Sequence, residues 1–281
     1  MALLYPVAHS VYTSFFDLRM GGSLESANFS GLDNYRWLLD SPQVWESVAV
    51  TLFFAAAVVV LEVILGLGLA LLLDRPIRGM SVFRTIFILP MMIAPIVVGL
   101  IWKYMYNPQF GILNKMMVGL GLDPILWLSS PDWALWSVII ADIWQWTPFI
   151  FILSLAALQS LPSSAMEAAK IDGANGWQTV LYVKIPLMVP VIVVATLLRL
   201  IDAFKVLEVI YIMTAGGPGN STEILSMRIY NEAFVSFELG RAAALSNLLL
   251  LLVMLITILM FSYNKMCERR TARIRAAVES E

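Results

Sequence analysis

The sequence predicts an all-α integral membrane protein with six transmembrane helices, the first one truncated, and a helix-turn-helix insert between the fourth and fifth. Three observations carry this. The 281 residues are 60% hydrophobic and only 14% charged, where a soluble domain averages about 45–50% and about 25%. Mean hydropathy is +0.82. The apolar residues fall into long runs, and the basic residues concentrate in alternate loops.

The runs lie at about residues 1–16, 47–73, 84–106, 134–159, 186–213 and 241–263. A spanning helix needs about 20 mostly apolar residues, and the last five runs suffice. The first, "MALLYPVAHSVYTSFF", is short. It has no basic leader and no small-residue cleavage site, so it is a poor signal peptide and reads as the outer part of a span whose beginning is missing. The second run holds Glu62, Gly66 and Gly68, with Glu62 expected to be buried against a polar partner. The connecting loops reach about 30 residues, too short for an independent core. Residues 1–281 therefore read as a single transmembrane domain.

Lysine and arginine bias sets orientation. One set of loops holds Arg75, Arg78, Arg84, Lys170, Lys184, Lys265, Arg269, Arg270, Arg273 and Arg275, ten basic residues in about 54 positions. The other holds Arg19, Arg36, Lys103, Lys115, Arg228 and Arg241, six in about 84. The denser set is expected inside, together with the C-terminus. Trp127, Trp133 and Trp136 in an outer loop fit an interfacial aromatic belt. "GGPGNST" reads as a turn, because it lacks the lysine of a phosphate-binding loop.

Composition also excludes functions. A net charge of −2 gives nucleic acid no attraction. One cysteine, Cys267, rules out an internal disulfide, and no Cys/His cluster points to a metal. One histidine, His9, makes histidine-centred catalysis improbable and reads as a residue at a helix face or end.

The insert spans about residues 160–185 and contains "MEAAKIDGANGWQTVLYVKIPL". Ser160 or Ser163 is expected to cap a short helix, with Glu167 early in it, where the dipole favours an acid. Gly173 should stop that helix in the left-handed conformation. Asn175 should cap a second helix, expected to end before Pro186. Met166, Ala169 and Lys170 share a face of the first helix. Small alanines there suit either close approach by another protein or a helix lying on the membrane surface.

"EAAKIDGANGWQTVLYVKIPLMVP" resembles the signature loop of ABC-importer permeases. "LDNYRWLLDSP", "FRTIFILPMMIAPIVVGLIWKYMYNPQFGILN", "LAALQSLP", "VIYIMTAGGPGNSTEIL" and "GRAAALSNLLLLL" are similar to the maltose/glycerol-3-phosphate type of carbohydrate permease, across nearly the whole chain in order. The resemblance implies that Glu167, Ala168, Ala169, Asp172 and Gly173 dock on a separate ATPase subunit. It implies a second permease subunit, two ATPase subunits, an extracytoplasmic substrate-binding protein and a carbohydrate cargo. It further implies a multi-pass protein of a prokaryotic plasma (inner) membrane. ATP and magnesium would belong to the partner ATPase, so no catalytic residue and no cofactor is expected in this chain.

Charges within spans are costly and mark functional positions. Asp142, Trp144, Gln145 and Trp146 lie in the fourth span, where Pro148 can free a backbone carbonyl. Arg199, Asp202, Lys205 and Glu208 recur every three residues in the fifth, where neighbours can pair. These eight residues are the substrate-path candidates. Aromatic faces and polar groups together suit a sugar. The charged stripe equally suits an ion-pair ladder between spans, and the tryptophans equally suit packing. An importer of a polyol or glycerol 3-phosphate, or an ion-driven secondary carrier, are the other readings. The carrier would leave the insert without a role, and a membrane enzyme finds no acid–base pair at a shared depth.

Overall fold

The computed structural model describes residues 4–25, 27–74 and 79–278, with side chains described to residue 262 except at 80 and 81. Arg75 and Arg78 lie outside the described residues, as do the side chains of Lys265, Cys267, Arg269, Arg270, Arg273 and Arg275. The elements in order are α1 Leu4–Thr13, β1 Phe16–Asp17, β2 Asn28–Phe29, α2 Asp33–Asp40 and α3 Pro42–Leu72. Then come α4 Met80–Met92, α5 Pro95–Met105, α6 Ile112–Gly119, α7 Pro131–Gln159 and α8 Ser163–Ile171. The chain ends with α9 Gly176–Ala203, α10 Glu208–Met213, α11 Leu225–Phe234 and α12 Leu239–Val278.

The fold is helical and membrane-spanning, but six uninterrupted spans are not present among the described residues. Four helices have the length and apolarity to cross a bilayer: α3, α7, α9 and α12 over Leu239–Ser262. The stretch expected as a span at 84–106 is two helices bent by 97°. The cause stands in "PMMIAP". A residue before proline avoids the α region, and Ala94, before Pro95, is extended at φ −58, ψ 135. The stretch expected at 186–213 also breaks. Phe204 and Val206 are buried, and the chain turns to seat them before α10 begins. The first run forms a helix of 10 residues.

Two compact units divide the chain. One holds Met1–Trp45 with Arg228–Glu281, the other Glu46–Met227. In the first, the two-stranded sheet pairs Phe16 with Phe29 and Asp17 with Asn28. Asn34 donates to the carbonyls of Ser14 and Phe16 at 2.9 and 3.0 Å. Asn247 of α12 donates to the Tyr35 hydroxyl at 3.2 Å and accepts from Ser10 of α1 at 3.2 Å. His9 lies on α1 with its Nδ1 3.4 Å from the Thr13 hydroxyl.

In the second unit α7 is the central helix, with 61% of its apolar window buried against 17% for α9. Gly66 explains how closely α3 lies on it. A Cβ there would sit 2.7 Å from Ile150 Cβ and 2.9 Å from the Phe151 nitrogen, so only glycine permits this approach. Ala70, Phe151, Leu155, Leu158 and Met188 then join α3, α7 and α9 in one apolar cluster. Asn114 organises the loop before α7, accepting from Trp127 Nε1 at 2.8 Å. That hydrogen bond makes Trp127 a packing residue of the loop. Trp133 and Trp136 stay 42% exposed.

Candidate functional site

One turn before Gly66, α3 presents Glu62, fully buried. Arg199 of α9 meets it with a bidentate fork, Nε to Oε2 at 2.6 Å and Nη2 to Oε1 at 3.0 Å. The same Nη2 also donates to Asp142 Oδ2 of α7. Arg199 is 1% exposed. One guanidinium between two carboxylates offsets charges that an apolar interior would otherwise exclude, and leaves Arg199 Nη1 without a hydrogen-bond partner among the described residues. On the open side, Arg199 Nη1 lies 3.6 Å from Asp202 Oδ2, and Lys205 Nζ lies 3.8 Å from Asp202 Oδ1. The guanidinium carbon is 5.3 Å from the Trp146 ring centroid, within cation–π range.

Beside this network is a cavity of about 250 Å³ lined by Pro95, Asp142, Gln145, Trp146, Asp202, Lys205, Val206, Glu208 and Val209. Six of the eight substrate-path candidates therefore line one space, with Arg199 at its back. The exception is Trp144. It faces the other side of α7, into an apolar groove with Phe83, Phe87 and Pro90, and stacks edge-on against Trp102 at 5.9 Å. Helical geometry explains the split, since positions 142, 145 and 146 share a face that 144 does not. The charged stripe also differs from its expected form. It is not one helical row, because Lys205 sits in the break between α9 and α10.

The broken span contributes to the same place. Gln145 Nε2 donates to the carbonyl of Ile93 at 3.0 Å, satisfying a backbone group that the bend between α4 and α5 leaves outside the helix. Irregular backbone at membrane depth persists where protein encloses it or a cavity borders it. The Gln145 Oε1 and Asp142 Oδ1 atoms are buried with no hydrogen-bond partner among the described residues. Sequence reasoning missed Pro95 and the Ile93 carbonyl, although Pro90 and Pro95 were a visible signal for a break.

The insert forms a second candidate site. α8 starts after Pro162, without a side-chain cap. Ser160 instead donates to Ala157 at 2.8 Å, closing α7. Glu167 is the fifth residue of α8, beyond its first turn, and is exposed. Gly173 has φ +74. Its N–H bonds Lys170 O at 3.2 Å, and the Ala174 N–H bonds Ala169 O at 2.9 Å, the two bonds of a Schellman end. Asn175 then opens α9 with a reciprocal box: its Oδ1 accepts from Gln178 N at 2.9 Å, and its N–H donates to Gln178 Oε1 at 2.8 Å.

Two expectations about the insert are corrected. The second helix does not end before Pro186. Residues Thr179–Lys184 adopt π-helical turns, and the wider turn relieves the clash between a proline ring and the carbonyl four residues back. α9 therefore runs on through Pro186 and Pro190 to Ala203. Nor does Ala169 face outward. It is 7% exposed, with α8 packed on the π-helical segment. Ala168, Asp172 and Gly173 are exposed with Glu167. Ile171 at 86% and Trp177 at 82% exposed flank them. Lys184 ties this region to the end of α3 through Asp74 at 2.5 Å.

Residues 62–273 match the family model described as binding-protein-dependent transport system inner membrane component. The chain is 39% identical to the trehalose/maltose transport system permease protein MalF of Thermococcus litoralis over 82% of this chain and 78% of that protein. It is 35% identical to the sulfoquinovosyl glycerol transport system permease protein SmoG of Agrobacterium fabrum over 92% and 83%. Among solved structures, a bacterial alginate ABC transporter in complex with an alginate pentasaccharide-bound periplasmic protein superposes with a TM-score of 0.77 at 26% identity, covering 86% of this chain and 84% of that one. A match over this much of the chain, on a fold of the same kind, establishes that the protein belongs to the family of binding-protein-dependent transport system inner membrane components, which are transport permeases and not enzymes.

Proposed function

We propose that this chain is one transmembrane subunit of an ATP-driven carbohydrate importer, lining half of the translocation path and receiving force from a separate ATPase at residues 163–178. The observation that carries this reading is α9. It starts at the capped end of the insert and ends beside the cavity, a single helix of 28 residues, roughly 40 Å at about 1.5 Å per residue. A push on α8 is passed by a hydrogen-bonded rod to Arg199 and Asp202, without a flexible linker between. Glu167, Ala168, Asp172 and Gly173 offer the exposed docking surface. Ala169 acts from beneath, by letting α8 lie close to α9.

The partners in this reading are a second permease subunit, two ATPase subunits holding ATP and magnesium, and an extracytoplasmic binding protein; the alginate transporter is similarly in complex with a periplasmic protein. The insert and the C-terminus face the cytoplasm, following the basic-residue bias. Closure of the ATPase pair moves the insert, the rod tilts, and the cavity changes the side on which it opens. An ion-driven carrier would share the buried charges but would need no capped, exposed insert.

Reconstitution into vesicles with the co-expressed partners tests the reading. Uptake of the binding protein's cargo is expected to require ATP and the ATPase subunits. Uptake that proceeds with this chain and an ion gradient alone would replace the importer by a carrier.

A further inference from the structure

We infer that the cavity beside Arg199 accepts polyhydroxy cargo without negative charge and rejects anions, with Asp202 and Glu208 as the discriminating residues. The inference rests on the importer reading and narrows its cargo class.

The wall carries more carboxylates than cations, and its unpartnered groups include two acceptor oxygens and one donor, Arg199 Nη1. Among the titratable lining residues, three are carboxylic and one, Lys205, is basic. Lys205 is already drawn to Asp202. Behind the wall, Arg199 is engaged by Glu62 and Asp142 through Nε and Nη2, and its Nη1 lies 3.6 Å from the Asp202 carboxylate, whose charge offsets it. Two buried oxygens of lining residues, Gln145 Oε1 and Asp142 Oδ1, have no partner among the described residues. Each residue is at most 1% exposed, so each oxygen needs a donor brought to it. A sugar or polyol hydroxyl is such a donor. A phosphate, sulfonate or carboxylate offers only acceptors and brings like charge to Asp202 and Glu208. The Trp146 ring, also on the wall, adds an apolar face for sugar C–H groups.

The test is equilibrium binding to the assembled permease–ATPase complex without binding protein, using labelled pairs that differ in charge: glucose against glucuronate, and glycerol against glycerol 3-phosphate. The uncharged member of each pair is expected to bind about tenfold tighter or more at low salt, as like-charge repulsion dictates. The gap should shrink in 1 M salt, where screening acts over about 3 Å. Asp202→Asn combined with Glu208→Gln should narrow it to about twofold, removing that repulsion while preserving shape. A thermal unfolding curve matching wild type confirms that the variant is folded. An anion bound as tightly as its uncharged partner by the wild type, a gap that survives the double variant, or no binding of either glucose or glycerol would each overturn the inference. ATP-dependent uptake of the binding protein's own cargo is scored separately. A complex that couples ATP to uptake yet prefers glucuronate sinks the selectivity and leaves the importer standing.

Discussion

The two ends of α9 are built on opposite principles. At Arg199 the helix is 1% exposed and held by charges. At its start it is held by backbone and side-chain caps, with neighbouring Ile171 and Trp177 more than four-fifths exposed. The buried end draws its partners from α3 and α7, and the capped end from residues a few positions away. One helix thus joins a buried, charge-paired site to an exposed, capped one. Buried charges are costly to leave unpaired, so the inner end resists change. Caps contribute only about 1 kcal/mol each, so the outer end is held far less firmly than the inner one.

The largest test of this contrast is Arg199→Met. It leaves Glu62 and Asp142 buried and unpaired, which is expected to cost about 3–5 kcal/mol and to lower the thermal unfolding midpoint in detergent. Adding Glu62→Gln and Asp142→Asn should recover most of that loss. If the single variant unfolds like wild type, the inner end is not held by charge. Next in size is Gly173→Val, which forces a β-branched residue to φ +74 at a cost of about 1–2 kcal/mol. Unfolding should shift little while ATP-dependent uptake is lost and capture of cargo by the binding protein persists. Undiminished uptake would remove the insert from the coupling path. The smallest is Asn175→Ala, which removes the box at a cost of about 1 kcal/mol. It should speed hydrogen exchange at the Gln178 amide, and unchanged exchange would show that packing, not the cap, starts α9.

Much of the fold was legible because its signals are local. Gly173 followed by Asn175 announces a stop and a start, and both form. The breaks were less legible. "PMMIAP" carried the information but was outweighed by the apolarity of 84–106, and the turn at Phe204–Leu207 has no proline or glycine to mark it. It arises because Phe204 and Val206 are drawn into the core. In the candidate site, Asp142, Gln145 and Trp146 were found by residue type, but Trp144 was grouped with them because type says nothing about which face of a helix points inward. Ala169 was misplaced for the same reason.

What the sequence by itself determined is the helical membrane fold, the capped insert and the residue types of the candidate site. The tertiary structure alone decided that Glu62 and Asp142 share one arginine, that Gln145 satisfies the broken span, and that Ala169 faces inward. The reason is range. Caps, stops and apolar runs act through groups within a few residues, whereas Arg199 is joined to carboxylates 57 and 137 positions away. Only the packing of α3, α7 and α9, permitted at Gly66, brings them together.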